Sequence, residues 1–226
     1  VKRSSRRLHR RILQTTVAVP LTFAPLFGCS ERDSATSAKR PALESVSDED
    51  LRAEIGRLQS ATDTKRIIDS IEELRSDTSP ASIPFLAPFI RHPDEQVALA
   101  AVEAIEFLSI ATTDGIPVLS EALESNVSPT VKRRIVEALY EQRTEVGGGM
   151  VLVEPLIGVL ESDPDPMVRV DAARHIGALG EVEAIPALRK RLDAEKDDRV
   201  RQSVDWAIRY LRDETGEPPP SFAPPA

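Results

Sequence analysis

The sequence predicts an all-α fold, an α-solenoid of about five stacked helical hairpins. Three observations point there: a unit that recurs about every 33 residues, a 3.6-residue apolar period inside each unit, and a near absence of large aromatics. The recurrence begins with Ile83-Pro84, Leu86 and Ile90. The same spacing returns in Ile116-Pro117, Leu119 and Leu123, and in Ile185-Pro186, Leu188 and Leu192. Val153, Leu156 and Leu160 follow it with the proline displaced to Pro155. Successive starts at Ile83, Ile116, Val153 and Ile185 lie 33, 37 and 32 residues apart. Each start reads as a short first helix, where a proline in the first turn loses no hydrogen bond.

A second helix follows each first one, anchored by Val97, Val131, Val168 and Val200. From these valines the apolar positions fall at +4, +8 and +11, as in Ala101, Ile105 and Leu108, or Val204, Ile208 and Leu211. That is one buried stripe per helix. In the Val131 unit, polar Gln142 takes the +11 place. Turn residues between the helices (His92-Pro93-Asp94, Ser128-Pro129, Asp163-Pro164-Asp165, Lys196-Asp197-Asp198) offer oxygens that cap the second helix. An earlier unit has Leu51 and Ile55 in its first helix, entered through Ser47 and Asp50, and Ile67, Ile71 and Leu74 in its second, with Asp63 in the valine's place. An irregular end unit is expected where one side of the stack faces water. Gly147-Gly148-Gly149 falls in the longest interval and reads as an inserted loop. It lacks the Lys-Ser/Thr that a phosphate-cradling loop needs.

The Ile-Pro starts, Val168-Arg169, Val200-Arg201 and the Ala-rich second helices ending at Leu179-Gly180 resemble the HEAT-like repeats of bacteria, including the phycobilisome lyase type. The likeness covers residues 47–213 and implies architecture more than activity. Tetratricopeptide units would need a regular 34-residue period and aromatics at fixed places.

Residues 1–28 read as an export signal: Lys2, Arg3, Arg6, Arg7, Arg10 and Arg11, then an uncharged run over 12–27, too short and too Pro-interrupted for a spanning helix. Leu26-Phe27-Gly28-Cys29 resembles a bacterial lipobox, with Phe27 bulkier than usual. The resemblance implies that Cys29 carries a diacylglyceryl group, and Ser30 after it implies outer-membrane sorting, with the folded part facing the periplasm. An uncleaved anchor and a plain secretory signal, with Cys29 incidental, stand as alternatives. Residues 29–46 read as a flexible tether and 214–226, with five prolines, as an extended or disordered tail. The tail either covers the last repeat or serves as a ligand.

Beyond residue 29, 23 basic residues face 37 acidic ones, a balance that disfavours nucleic acid. No cofactor or metal site is legible: His9, His92 and His175 are isolated, and none precedes a Glu. A capping role for His92 and a packed role for His175 are the simpler readings. No nucleophile has a base and an acid near it in sequence, so no catalytic residue is assigned. Lys132, Arg169 and Arg201 recur after the anchor valines and read as a charge ladder beside Asp165, Asp197 and Asp198, with a binding line as the alternative.

Positions +2, +6 and +9 of the second helices should point away from the buried stripe. They are Arg133, Glu137 and Tyr140; Val170, Arg174 and Gly177; Gln202, Trp206 and Arg209. Arg133, Tyr140, Arg174, Trp206 and Arg209 are therefore the candidate partner-binding residues, since Trp, Tyr and Arg dominate interfaces; closure of the terminal repeat by Trp206, under the tail, is the alternative. The functional expectation is an envelope-anchored, non-catalytic scaffold or assembly factor that binds another protein. A chromophore lyase-like enzyme or helper and a solenoid that binds a small ligand or glycan are the alternatives.

Overall fold

The computed structural model describes residues 48–110, 112–143, 149–213, 216 and 218–220, all within one compact unit. The segments read as an export signal and a tether, with Cys29, and also Gly147, Gly148 and most of the proline-rich tail lie outside the described residues. Among the described residues, ten α-helices form five hairpins: α1 (Glu49–Ser60) with α2 (Thr64–Ser76), α3 (Ile83–Leu86) with α4 (Glu95–Ser109), α5 (Gly115–Leu123) with α6 (Pro129–Glu141), α7 (Met150–Ser162) with α8 (Pro166–Leu179), and α9 (Ile185–Ala194) with α10 (Asp198–Leu211). Among the described residues there is no strand.

The second helices α2, α4, α6, α8 and α10 pack side by side in one layer. The first helices form the other, α5 against α7 and α7 against α9. The core lies between the layers and holds the apolar positions read from the sequence, among them Ile105, Ile135, Ile176 and Ile208. Polar Gln142 is buried too. Its Nε2 donates to the Glu106 carbonyl at 3.2 Å, which ties α6 to α4.

Second-helix starts are capped as their turn residues dictate. Asp94 accepts from the Gln96 N–H, Ser128 from Val131, Asp165 from Met167 and Val168, and Asp197 from Arg199 and Val200. In the first hairpin, Asp48 caps α1, rather than Ser47 or Asp50, and Asp63 is the N-cap of α2, not the counterpart of the anchor valine. Two first helices also depart from expectation. The segment from Pro80 breaks into a 3₁₀ turn (Pro80–Ser82), the single turn α3, and a second 3₁₀ stretch (Ala87–Arg91). Pro88 has no N–H for the Pro84 carbonyl and its ring displaces that carbonyl, so the chain tightens rather than continuing as α-helix. Helix α7 starts at Met150, three residues before Val153, which places Pro155 inside it.

Charged residues do form a ladder between repeats, but its acids are not those expected. Asp165 and Asp197 turn inward as caps, and the rungs fall on Asp163 and Glu195. Lys132 Nζ lies 2.6 Å from the buried Asp163 carboxylate. Arg169 grips Glu195 with two bonds of 2.9 and 3.1 Å and donates to the carbonyls of Asp163 and Pro164. Arg191 also binds Glu195, and Arg201 donates to the Leu192 and Glu195 carbonyls. Burial alone would raise the Glu195 pKa. Donation from Arg169, the Asp197 and Lys196 N–H groups and Arg191 outweighs it and holds the carboxyl at about 2.

Gly177 sits where α8 meets α10. A Cβ there would lie 2.7 Å from the Trp206 ring and 3.0 Å from the Ala207 backbone. The absent side chain lets the two helices approach.

Two outcomes follow from this packing. Glu195→Gln should lower unfolding free energy at neutral pH by about 3 kcal/mol, because it leaves Arg169 buried and poorly matched. Since the native carboxyl titrates below its ordinary value of 4.5, the ionised form stabilises the fold above that value and the contribution fades as pH falls from 4.5 toward 2. Denaturant titrations of both proteins should converge over that window. Gly177→Val should cost about 2 kcal/mol by forcing α8 and α10 apart, read as a lower melting temperature.

Candidate partner-binding groove

On the outward face of the second-helix layer the structure brings some of the expected residues together. Arg133 leaves α6 exposed and its Nε lies 2.6 Å from Asp171 on α8. Arg174, one turn further along α8, reaches the other oxygen of that carboxylate at 3.6 Å. Tyr140, half-buried at the end of α6, stacks on His175 of α8 with ring centroids 4.8 Å apart and 23° between planes. The Arg143 guanidinium lies 4.1 Å from the Tyr140 ring centroid. Beside them Arg134 bridges to Glu106 and Glu103 on α4 and to Glu137 on its own helix. A cleft of about 440 Å³ runs between these helices, lined by Leu99 and Glu103, by Arg133, Arg134 and Glu137, and by Asp171 and His175.

His175 is held neutral. Burial pushes its imidazole down to about 4 against the opposing pull of the Asp171 carboxylate. At neutral pH the Tyr140–His175 stack is therefore uncharged aromatic packing. His92 serves its turn: Nδ1 accepts from the Asp94 N–H at 3.1 Å. Burial raises the Glu106 pKa although Arg134 pulls it down, so the carboxylate that holds Arg134 is poorly solvated.

Trp206 does not stand in this groove as expected. It is buried, 7% exposed, with its ring over Gly177 of α8 and stacked on Tyr210 at 5.1 Å. Val170 and Gly177, also expected to face outward, are buried. Arg209 is exposed, 3.8 Å from Asp205 on its own helix. The reason is geometric. Counting 100° per residue finds the face opposite the first helix, but each second helix also has second helices on its flanks. Positions leaning toward a flank are covered by the next repeat.

Asp171, Arg134 and His175 were missed as groove residues. Adjacent repeats carry opposite charges at neighbouring outward positions, Arg133 and Arg134 on one helix and Asp171 on the next. That pairing was the available signal. Chemically the groove offers paired charges and a neutral aromatic step, suited to recognition of a surface. Among the described residues, no group of three or more His, Cys, Asp or Glu stands where it could hold a metal ion, and no helix is long and apolar enough to cross a membrane.

The sequence of this stack matches the family model described as HEAT repeats, over residues 55–140 and again over 116–209. No curated protein matches significantly. Similar solved structures include an engineered protein, 14% identical, with 74% of this chain and 98% of that one covered at a TM-score of 0.32. Another is human deoxyhypusine hydroxylase in complex with glycerol, 20% identical, with 73% of this chain and 74% of that one covered at a TM-score of 0.29. Because the two overlapping matches span well over half of the sequence and run through the helical hairpins described above, the chain belongs to the HEAT-repeat family.

Proposed function

We propose that the protein is a non-catalytic scaffold or assembly factor that binds another protein through the outward face of its second helices, and that Cys29 anchors it by lipid in the cell envelope, at the outer membrane facing the periplasm. The observation that carries the reading is the convergence of Arg133 of α6 and Arg174 of α8 on one carboxylate, Asp171, with Tyr140 of α6 stacked on the neighbouring His175. Arginine and tyrosine on a firmly packed surface are the usual anchors of protein interfaces. Arg209 extends the face onto α10, and buried Trp206 supports it from below.

The lining favours this over a chromophore or other small-ligand site. The groove presents Glu103, Arg133, Arg134, Glu137 and Asp171, whereas small-molecule sites are mostly apolar with few polar groups. The resemblance of the Ile-Pro starts to lyase-type repeats thus bears on architecture and not on activity. The anchoring rests on the basic, uncharged and Leu26-Phe27-Gly28-Cys29 segments in succession. One acylated thiol plus an acylated amine would hold a protein on a membrane where a single chain would not.

Binding is best probed at positions outside the core. Trp206→Ala would remove a core side chain at about 3–5 kcal/mol and confuse unfolding with lost contact. The full chain, crosslinked in envelope preparations, should capture a protein whose recovery falls about tenfold or more with Arg174→Ala plus Arg209→Ala. Recovery should be unchanged with Lys190→Ala, which lies on a first helix. Equal recovery by all three proteins would remove the groove from the proposal. Cys29→Ser should shift the chain from the membrane fraction to the soluble one or leave it unprocessed; unaltered fractionation and processing would end the lipid-anchor reading.

A further inference from the structure

A second cleft, of about 410 Å³, opens at the other end of the stack, where the first two hairpins meet. It lies where Pro88 breaks the first helix of the second hairpin into short turns. Its walls alternate proline and aromatic: exposed Pro84, Pro88 and Pro93, with half-buried Phe89 and His92, whose rings lie 6.5 Å apart and 20° from parallel. Leu58 and Ile67 close its base. Donors stand at the rim. Because Nδ1 of His92 accepts from the Asp94 N–H, the ring proton sits on Nε2, and Gln59 and Thr62 lie exposed beside it.

Apolar ridges with donors between them suit one kind of ligand, an extended polyproline segment. Such a backbone keeps its carbonyls free to accept and presents proline rings at fixed intervals. Aromatic-lined grooves recognise it because little entropy is lost on binding. This chain carries such a segment in Pro218-Pro219-Pro220-Ser221-Phe222-Ala223-Pro224-Pro225. Pro218 is exposed and Pro219 and Pro220 are half-buried, so apolar surface remains for a partner.

We infer that the Pro/Phe/His cleft of the first two hairpins binds the proline-rich tail of a second copy of this chain. The same copy's Pro218-Pro219-Pro220 run does not reach. The cleft sits at the N-terminal ends of α2 and α4, while the tail leaves from the C-terminal end of α10. Returning along the 14 residues of α10 takes about 21 Å at 1.5 Å per residue. Crossing three interhelical steps toward α4 adds about 24–30 Å sideways. Residues 212–217 span only about 20 Å when fully extended. The contact is therefore head to tail. Such a contact adds copies in a row, or closes a ring where the rotation between copies returns to the first. It uses neither the charged groove nor its proposed partner.

Complementation tests it. Sedimentation of the full chain should show association that grows with concentration. Phe89→Ser, which spoils the cleft, and a variant with Pro218, Pro219 and Pro220 all changed to Ser, which spoils the tail, should each remain monomeric. Mixing the two should restore association, limited to pairs, since one supplies the tail and the other the cleft. A labelled peptide of residues 217–225 should bind the tail variant and bind Phe89→Ser about tenfold more weakly or less. Circular dichroism of each variant excludes unfolding as the cause. Wild-type chain that stays monomeric while the peptide binds would assign the cleft to another proline-rich protein and overturn the second-copy inference. Association unaffected by both variants, or no peptide binding, would overturn it as well.

Discussion

Every hairpin in this stack has apolar surface that it cannot cover alone. The second helices meet this constraint most sharply, because each has a first helix beneath it and second helices on its flanks. Most of the circumference of α8 is thereby buried, including Val170, Ala173 and Gly177, which no single hairpin would cover. The closeness of α8 and α10 depends on Gly177, where a Cβ would meet Trp206 and Ala207. What remains outward is a narrow strip, and the groove is built on that strip. Its side chains are held in place because the helices bearing them cannot rotate without opening the core.

Electrostatics follow the same repeat logic along one edge. The edge near the second-helix N-termini is joined from repeat to repeat by Thr64 to Asp94, Glu95 to Ser128, Lys132 to Asp163 and Arg169 to Glu195. The first two links are exposed or partly so and are worth little each. The last two have buried acids, and their removal leaves a charge without a partner. The stack is thus latched more firmly toward its C-terminal repeats. The edge near the proline-broken first helix of the second hairpin is looser, and the apolar cleft lies there.

Much of the fold was legible in the sequence. The valine anchors, the +4, +8 and +11 stripe and the Asp or Ser caps are local features, set by the helical period and by the free N–H groups of a helix start. They placed α4, α6, α8 and α10 correctly. Polar Gln142, which broke the pattern on paper, still occupies the buried place because it finds the Glu106 carbonyl. The first helices were less legible. Pro88 stops α3 after one turn while Pro155 is accommodated within α7, and the difference depends on how each segment is packed.

The candidate groove was half legible. Arg133, Arg174 and Tyr140 do face the strip between α6 and α8, whereas Trp206 turned out to be part of the packing. The sequence by itself determined which residues are helical, where the second helices begin and which face of each meets its own hairpin partner. Only the tertiary structure decided which of the remaining positions are covered by the next repeat, which acids meet Lys132 and Arg169, and where clefts open. The physical reason is range. A helical period and a cap are settled within one turn of the chain, but burial of Trp206 or pairing of Arg169 with Glu195 depends on the spacing between helices that the sequence separates by 26 residues or more.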